Sequence, residues 1–173
     1  QTHTPAWPLP KIFRLVSKGK LAEGVFQGET INTPSMLAIE DALDGLRWAE
    51  AIGGLPALVA RSQANLAMIA RWVEATPWVD FLASDPRSRS STSICLKIGD
   101  PKVACLPEAG QTAFVKQLTK LLEDEKVAYD IAGYRDAPPG LRIWGGATVE
   151  TADLATLTEW LDWAFAQTRA TLA

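Results

Sequence analysis

An arginine within an apolar strand candidate is the first residue of this sequence that could bind a ligand. Arg142 stands in the string Gly140-Leu141-Arg142-Ile143-Trp144. An unpaired guanidinium is expensive to bury, so Arg142 needs a carboxylate, a phosphate or open solvent around its charge. Its planar fork of N–H donors suits a bidentate carboxylate. The residues alone leave two interpretations equally open: a binding site for an anion, and a strand-edge arginine whose charge lies in water.

A polar stretch before a predicted helix is the second candidate. The stretch reads Gly28-Glu29-Thr30-Ile31-Asn32-Thr33-Pro34-Ser35-Met36. Its small polar side chains and free backbone amides would meet at the helix N-terminus, an arrangement suited to a phosphate or a carboxylate. Thr33 as the N-cap, with Pro34 in the first turn, explains the same pattern without a ligand. On the residues alone, helix capping is the favoured interpretation.

The other reactive side chains offer weaker signals. Arg135 lies beside a turn predicted for residues 136–140 and is expected to be solvated. Cys95 and Cys105 have neither CxxC spacing nor a histidine companion, so we expect reduced, buried thiols and no zinc or redox site. No grouping resembles a nucleophilic triad, and no glycine-rich loop of the P-loop or dinucleotide type is present.

Composition and charge exclude several classes of partner. The chain has 173 residues, of which 47% are hydrophobic and 21% charged, as in a globular protein of one domain or one and a half. A net charge of −3 and a pI near 5.2 argue against general binding of nucleic acid or anionic lipid. No run reaches the roughly 18 to 20 apolar residues of a membrane helix, and the first residues form no signal sequence, so a cytoplasmic protein is expected.

Hydrophobic spacing predicts the elements that would position the candidate residues. We expect helices over residues 34–52, 56–75 and 111–126 and from Thr151 onward, with Gly53-Gly54 as a break. The second helix would bury Val59, Leu66, Ile69 and Val73. Alternating apolar residues predict a strand over 92–98, and residues 127–133 and 141–144 are further strand candidates. Helices that can cover one face of a small mixed or antiparallel sheet indicate an α+β unit beginning near Trp48.

Five strings, taken together and in this order, resemble the family of phosphoserine aminotransferases, particularly its alphaproteobacterial branch. They are Leu9-Pro10-Lys11-Ile12-Phe13-Arg14, the stretch from Gly28 to Met36, Ser90-Ser91-Thr92-Ser93-Ile94-Cys95-Leu96-Lys97-Ile98, Gly133-Tyr134-Arg135 and the string from Gly140 to Trp144. They span nearly the whole chain.

The resemblance implies a pyridoxal-phosphate-dependent aminotransferase of fold type I. It implies a cytoplasmic homodimer with active sites at the subunit interface, which converts 3-phosphohydroxypyruvate and glutamate to phosphoserine and 2-oxoglutarate in serine biosynthesis. Carried over by position, Asn32 and Thr33 would reach the cofactor phosphate of the other subunit, and Arg142 would hold the substrate α-carboxylate. Tyr134 and Arg135 fall on a His-Arg pair that helps to hold the substrate phosphate in some members, and the tyrosine departs from that pair.

The resemblance also implies that part of the active site lies outside this sequence. In the family, the Schiff-base lysine, the aspartate at the pyridine nitrogen and the aromatic residue stacked on the cofactor precede the segment where this chain begins. We therefore expect residues 1–47 to end a large cofactor-binding domain, residues 48–173 to form the carboxyl-terminal small domain, and the chain alone to be inactive. Two alternatives remain: a stand-alone α+β anion-binding or regulatory domain, and a sister aminotransferase of the alanine–glyoxylate or serine–glyoxylate type.

Overall fold

The structure, a computed structural model, describes residues 7, 8, 10, 13–134 and 136–172. The chain divides into two units, one ending at Trp48 and the other beginning at Ala49. The assignment of these units to a large and a small aminotransferase domain stays a prediction. None of the described helices is long and apolar enough to cross a membrane.

The described residues of the first unit form little regular structure before the helix. Strands β1 (Val16–Ser17) and β2 (Lys20–Leu21) form a hairpin whose turn residues, Lys18 and Gly19, both have positive φ. A short 3-10 helix covers Glu23–Gln27 and ends at Gly28 with φ 92°. Helix α1 then runs over Met36–Ala51, so that its last turn belongs to the second unit, and none of its residues is buried.

The beginning of α1 differs from the prediction. The Ser35 hydroxyl accepts a hydrogen bond from the backbone N–H of Ala38 at 3.4 Å, and the helix begins at Met36. Ser35 is therefore the capping residue, and the expectation that Thr33 caps the helix with Pro34 in its first turn is wrong. Asn32 and Thr33 lie in the preceding loop, where both residues are exposed.

The second unit is an α+β arrangement built on a three-stranded antiparallel sheet. Its elements in chain order are α2 (Gly54–Ala75), β3 (Val79–Phe81), β4 (Ser93–Ile98), α3 (Pro101–Ala104), α4 (Glu108–Asp124), β5 (Gly140–Trp144) and α5 (Thr151–Ala170). The strand order is β3-β4-β5, so β4 is central. Helix α5 contacts both α2 and α4. The predicted α+β class is confirmed.

One hydrophobic core joins the sheet to these helices. The sheet contributes Phe81, Ile94, Leu96, Leu141 and Ile143, and the helices contribute residues such as Ile69, Leu118, Leu122 and Leu161. Trp78 and Phe165 stack with ring centroids 4.3 Å apart. Successive strand residues point to opposite faces. The residues between those of the core therefore lie on the other face of the sheet; they are Asp80, Ser93, Cys95, Lys97, Arg142 and Trp144, here called the open face.

Several element predictions are confirmed. The strand over 92–98 appears as β4 with Ile94 and Leu96 buried, the strand over 141–144 appears as β5, and the last helix begins at Thr151 as predicted. Gly53, which precedes α2, and Gly54, its first residue, have φ of 113° and 69°, conformations that favour glycine and mark the break between the helices.

Others are wrong. Residues 127–133 form no strand, because Lys126 and Asp130 adopt φ of 60° and 52° and only Ala132 bridges to Leu141. Val59 is 48% exposed, so it does not join the buried stripe of α2. Cys95 is half-buried and Cys105 is exposed, so neither is the buried thiol that was expected.

Candidate functional site

Strand β5 fixes the backbone of Arg142 from both sides. On one side Arg142 lies opposite Cys95 of β4, and on the other its N–H donates to the Ile131 carbonyl at 2.8 Å. At the start of the strand a Cβ on Gly140 would lie 2.2 Å from the Leu96 carbonyl oxygen. Glycine at this position therefore lets β5 approach β4. The pairing directs the Arg142 side chain to the open face.

The Arg142 guanidinium has one charged partner among the described residues. Its Nη2 donates to Asp130 Oδ2 at 3.1 Å, and Arg142 Cζ lies 5.7 Å from the centroid of the Tyr134 ring. The Arg142 side chain is 32% exposed, whereas that of Asp130 is 90% exposed. Arg142 Nε is buried and makes no hydrogen bond within the described part of the chain. The cation is thus half-buried and only partly satisfied.

A cavity of about 230 Å³ opens at this guanidinium. It is lined by Arg142 and Trp144 of β5, Ser93 of β4, and Tyr129 and Asp130 from the segment before β5. Trp144 Nε1 donates to Thr148 Oγ1 at 3.4 Å, which holds one wall. The cavity combines an arginine fork, a hydroxyl and aromatic walls, the mixture by which small polar ligands are oriented. A small carboxylate fits this chemistry.

The loop that follows β5 is anchored by a buried asparagine of α2. Asn65 is fully buried, and its Nδ2 lies 3.1 Å from the Gly145 carbonyl, 3.3 Å from that of Gly146 and 3.1 Å from that of Val149. Its Oδ1 accepts a hydrogen bond from Thr151 Oγ1 at 2.6 Å. Asn65 therefore ties the end of β5 to the start of α5.

An arginine one turn earlier on α2 supports the same loop. Arg61 Nε donates to the Ala147 carbonyl at 2.7 Å, and its Nη2 pairs with Glu150. The backbone around Trp144, and with it one end of the cavity, is thus held by side-chain contacts as well as by the sheet. Neither Asn65 nor Arg61 was a sequence-predicted site residue.

The structure brings two predicted site residues, Tyr134 and Arg142, together in the second unit. Tyr134 is 64% exposed and lies beside the Arg142 guanidinium. It also borders a cavity of about 340 Å³ between α4 and residues 132–134 and 137–140, where Lys116 supplies a cation. Arg135, the second member of the predicted phosphate pair, lies outside the described residues. Asp130 was not predicted, because it lies 12 residues before Arg142 in a segment read as a strand.

Asn32 and Thr33 belong to the first unit and form a separate candidate. Neither side chain makes a hydrogen bond to another described residue, and Ser35 alone supplies the cap of α1. An amide and a hydroxyl are donors that a phosphate can use. The donor set of this loop therefore fits a phosphate-bearing cofactor.

Comparisons with known proteins point to one family. The phosphoserine aminotransferase of Methanosarcina mazei is 53% identical over 165 residues, which cover 95% of this chain and 42% of the relative. That of Methanosarcina barkeri is 53% identical over 167 residues with the same coverage. The chain therefore spans less than half the length of these relatives. No protein-family model matches it.

A solved structure shares the fold. The structure of phosphoserine aminotransferase from Bacillus circulans subsp. alkalophilus superposes with a TM-score of 0.67, covering 83% of this chain and 36% of that chain. The sequences are 19% identical over the match.

Proposed function

We propose that this chain, a homologue of phosphoserine aminotransferases, forms the carboxyl-terminal part of a pyridoxal-phosphate-dependent aminotransferase. The reaction is amino transfer between glutamate and 3-phosphohydroxypyruvate, which gives 2-oxoglutarate and phosphoserine for serine biosynthesis. The enzyme works as a cytoplasmic homodimer. The observation that carries the proposal is 53% identity along 95% of the chain. The half-satisfied Arg142 in its cavity supports it independently.

Arg142 binds the substrate α-carboxylate in this proposal. Glutamate, phosphoserine and their two keto acids all carry a carboxylate next to the reacting carbon, so one arginine serves both halves of the reaction. A bidentate pair would fix the orientation of that carbon as well as bind the ligand. The half-buried position of the guanidinium supports this role, since partial exclusion of water strengthens such a pair.

Discrimination among substrates falls to the residues near Tyr134. Only 3-phosphohydroxypyruvate and phosphoserine carry a phosphate, and we assign Tyr134 and Arg135 to that group. A tyrosine hydroxyl can donate a hydrogen bond to a phosphate oxygen without adding charge.

Asn32 and Thr33 would hold the phosphate of the cofactor bound in the other subunit. Their amide and hydroxyl donors are not used within the described part of the chain. When bound, pyridoxal phosphate supplies an electron sink for negative charge at the substrate α-carbon. No lysine of this chain is assigned to hold the cofactor, so we expect the 173-residue chain alone to show no transamination.

The test is a substrate comparison on the full-length polypeptide that carries this sequence, loaded with pyridoxal phosphate. We expect kcat/KM with glutamate and 3-phosphohydroxypyruvate to exceed that with glutamate and glyoxylate by roughly 100-fold or more, because only the former keto acid uses a phosphate site. The reverse preference would identify a glyoxylate aminotransferase. Anion binding without turnover of either keto acid would identify a binding domain and reject the proposal.

A further inference from the structure

The ion pair between Arg142 and Asp130 uses only part of the guanidinium. Nη2 donates a single hydrogen bond to Asp130 Oδ2, while the adjacent Nε is buried and makes no hydrogen bond within the described part of the chain. The Nε and Nη2 donors of an arginine can together hold both oxygens of one carboxylate. Asp130 therefore leaves unsatisfied a donor that a better-placed carboxylate would engage.

Asp130 is also easily separated from Arg142. Its side chain is 90% exposed, so its carboxylate is already hydrated and the ion pair contributes little free energy. Its backbone has φ of 52°, in a segment held next to β5 by the Ala132–Leu141 bridge and the bond from Arg142 N–H to the Ile131 carbonyl. Nothing in these contacts requires the Asp130 carboxylate to stay on the guanidinium.

Both members of the pair line the same cavity. Asp130 and Arg142 share it with Ser93, Tyr129 and Trp144, so a carboxylate that enters the cavity arrives at the pair itself. A ligand carboxylate that displaced Asp130 and reached both Nε and Nη2 would make two hydrogen bonds in place of one and would compensate the arginine charge.

We propose that Asp130 competes with the substrate carboxylate for Arg142 and thereby sets the affinity of the site. This inference rests on the proposed function of Arg142. Asp130 is a positioning residue that acts through Arg142, weakening ligand binding and assisting release of the product carboxylate. The opposite arrangement, in which Asp130 orients the guanidinium for the ligand, predicts the opposite change in affinity when the carboxylate is removed.

The experiment measures dissociation constants on the full-length polypeptide with pyridoxal phosphate bound. The probe is glutarate, which has the two carboxylates of glutamate and no amino group to react, titrated calorimetrically into wild type and D130N. An exposed ion pair contributes modestly, so we expect D130N to bind glutarate about twofold to fivefold more tightly. We expect D130E, which keeps a carboxylate at this position, to bind glutarate with an affinity closer to that of wild type.

Two further comparisons distinguish competition for Arg142 from a general electrostatic effect and from a structural role of Asp130. D80N removes a carboxylate from the same open face, where Asp80 pairs with Lys97 at 3.4 Å, and should leave the constant unchanged. In an Arg142→Ala background the D130N change should have no effect on the affinity for glutarate, because the guanidinium that binds either Asp130 or glutarate is absent.

The proposal would be overturned if D130N bound glutarate more weakly than wild type, or if D80N gained as much affinity for glutarate as D130N. Because glutarate cannot react, these constants can be compared even if the enzyme proves unable to turn over 3-phosphohydroxypyruvate. Lack of turnover would reject the proposed function alone, whereas an active enzyme with identical constants in wild type and D130N would reject the competition alone.

Discussion

The two faces of the three-stranded sheet differ in burial although their residues alternate along the same strands. On the core face Ile94, Leu96, Leu141 and Ile143 are each 1% exposed. On the open face Lys97 and Trp144 are exposed and Arg142 is half-buried. Leu141 and Arg142 are neighbours in sequence yet face opposite sides. If the open face binds the ligand, as proposed for Arg142, then stability and ligand binding can be altered separately by changing adjacent residues.

The largest expected effect on stability comes from the core face. Leu141→Ala removes a side chain that is 1% exposed and leaves a cavity between β5 and the helices. We expect a loss of about 2 to 5 kcal/mol in the free energy of unfolding, measured by urea denaturation. The matched control is Lys97→Ala on the open face, expected to change stability by less than about 0.5 kcal/mol. Equal losses in the two variants would refute the division between the faces.

A smaller effect is expected at the loop that joins β5 to α5. Asn65→Ala removes the donor shared by the Gly145, Gly146 and Val149 carbonyls and leaves the Thr151 hydroxyl without its acceptor. Unsatisfied buried groups predict a loss of about 2 to 3 kcal/mol. Because the loop also holds Trp144, KM for glutamate should rise as well. Ser62→Ala, on the same helix and also buried, is the control, and it should leave KM unchanged.

The smallest effect concerns the segment between β3 and β4. A hydrogen bond from the Arg87 side chain lowers the pKa of Asp85 below its ordinary value of 3.8, with help from the Arg87 backbone N–H. A carboxyl whose pKa is lower in the folded than in the unfolded protein stabilises the fold at pH values above its pKa in the unfolded protein. This contribution disappears as the pH falls through its pKa in the folded protein.

Asp85→Asn should therefore lower the melting temperature slightly at pH 7, and the difference from wild type should vanish as the pH drops below about 4. Both side chains of the pair are well exposed, so the shift should be small. A difference that grows on acidification would contradict the sign of this assignment.

Sequence patterns predicted the core face better than the open face. Alternation in β4 identified Ile94 and Leu96 as buried because a two-residue period is typical of a strand with one covered face. The same criterion failed for residues 127–133, where positive φ at Lys126 and Asp130 interrupts the backbone. It also missed β3, since the three residues Val79–Phe81 are too few to show a period.

The site was predicted only in part. Arg142 was recognisable because an arginine between apolar strand residues needs a partner. Asp130 was not, since its contact depends on a turn that spacing does not indicate. The role of Asn65 was missed because the carbonyls that it binds lie 80 or more residues away in sequence. Tertiary contacts of this kind leave no local signal.

The most direct test of the account is the effect of Arg142→Ala on kcat/KM for glutamate in the full-length enzyme, with Lys97→Ala as the matched loss of a cation from the open face. Removing the partner of a buried carboxylate typically costs about 2 to 5 kcal/mol, so we expect kcat/KM to fall roughly 30-fold to several thousand-fold. We expect the melting temperature of Arg142→Ala to stay close to that of wild type. An Arg142→Ala enzyme with the kcat/KM of wild type, or one that loses no more than Lys97→Ala, would contradict the assignment of the open face as the carboxylate-binding surface.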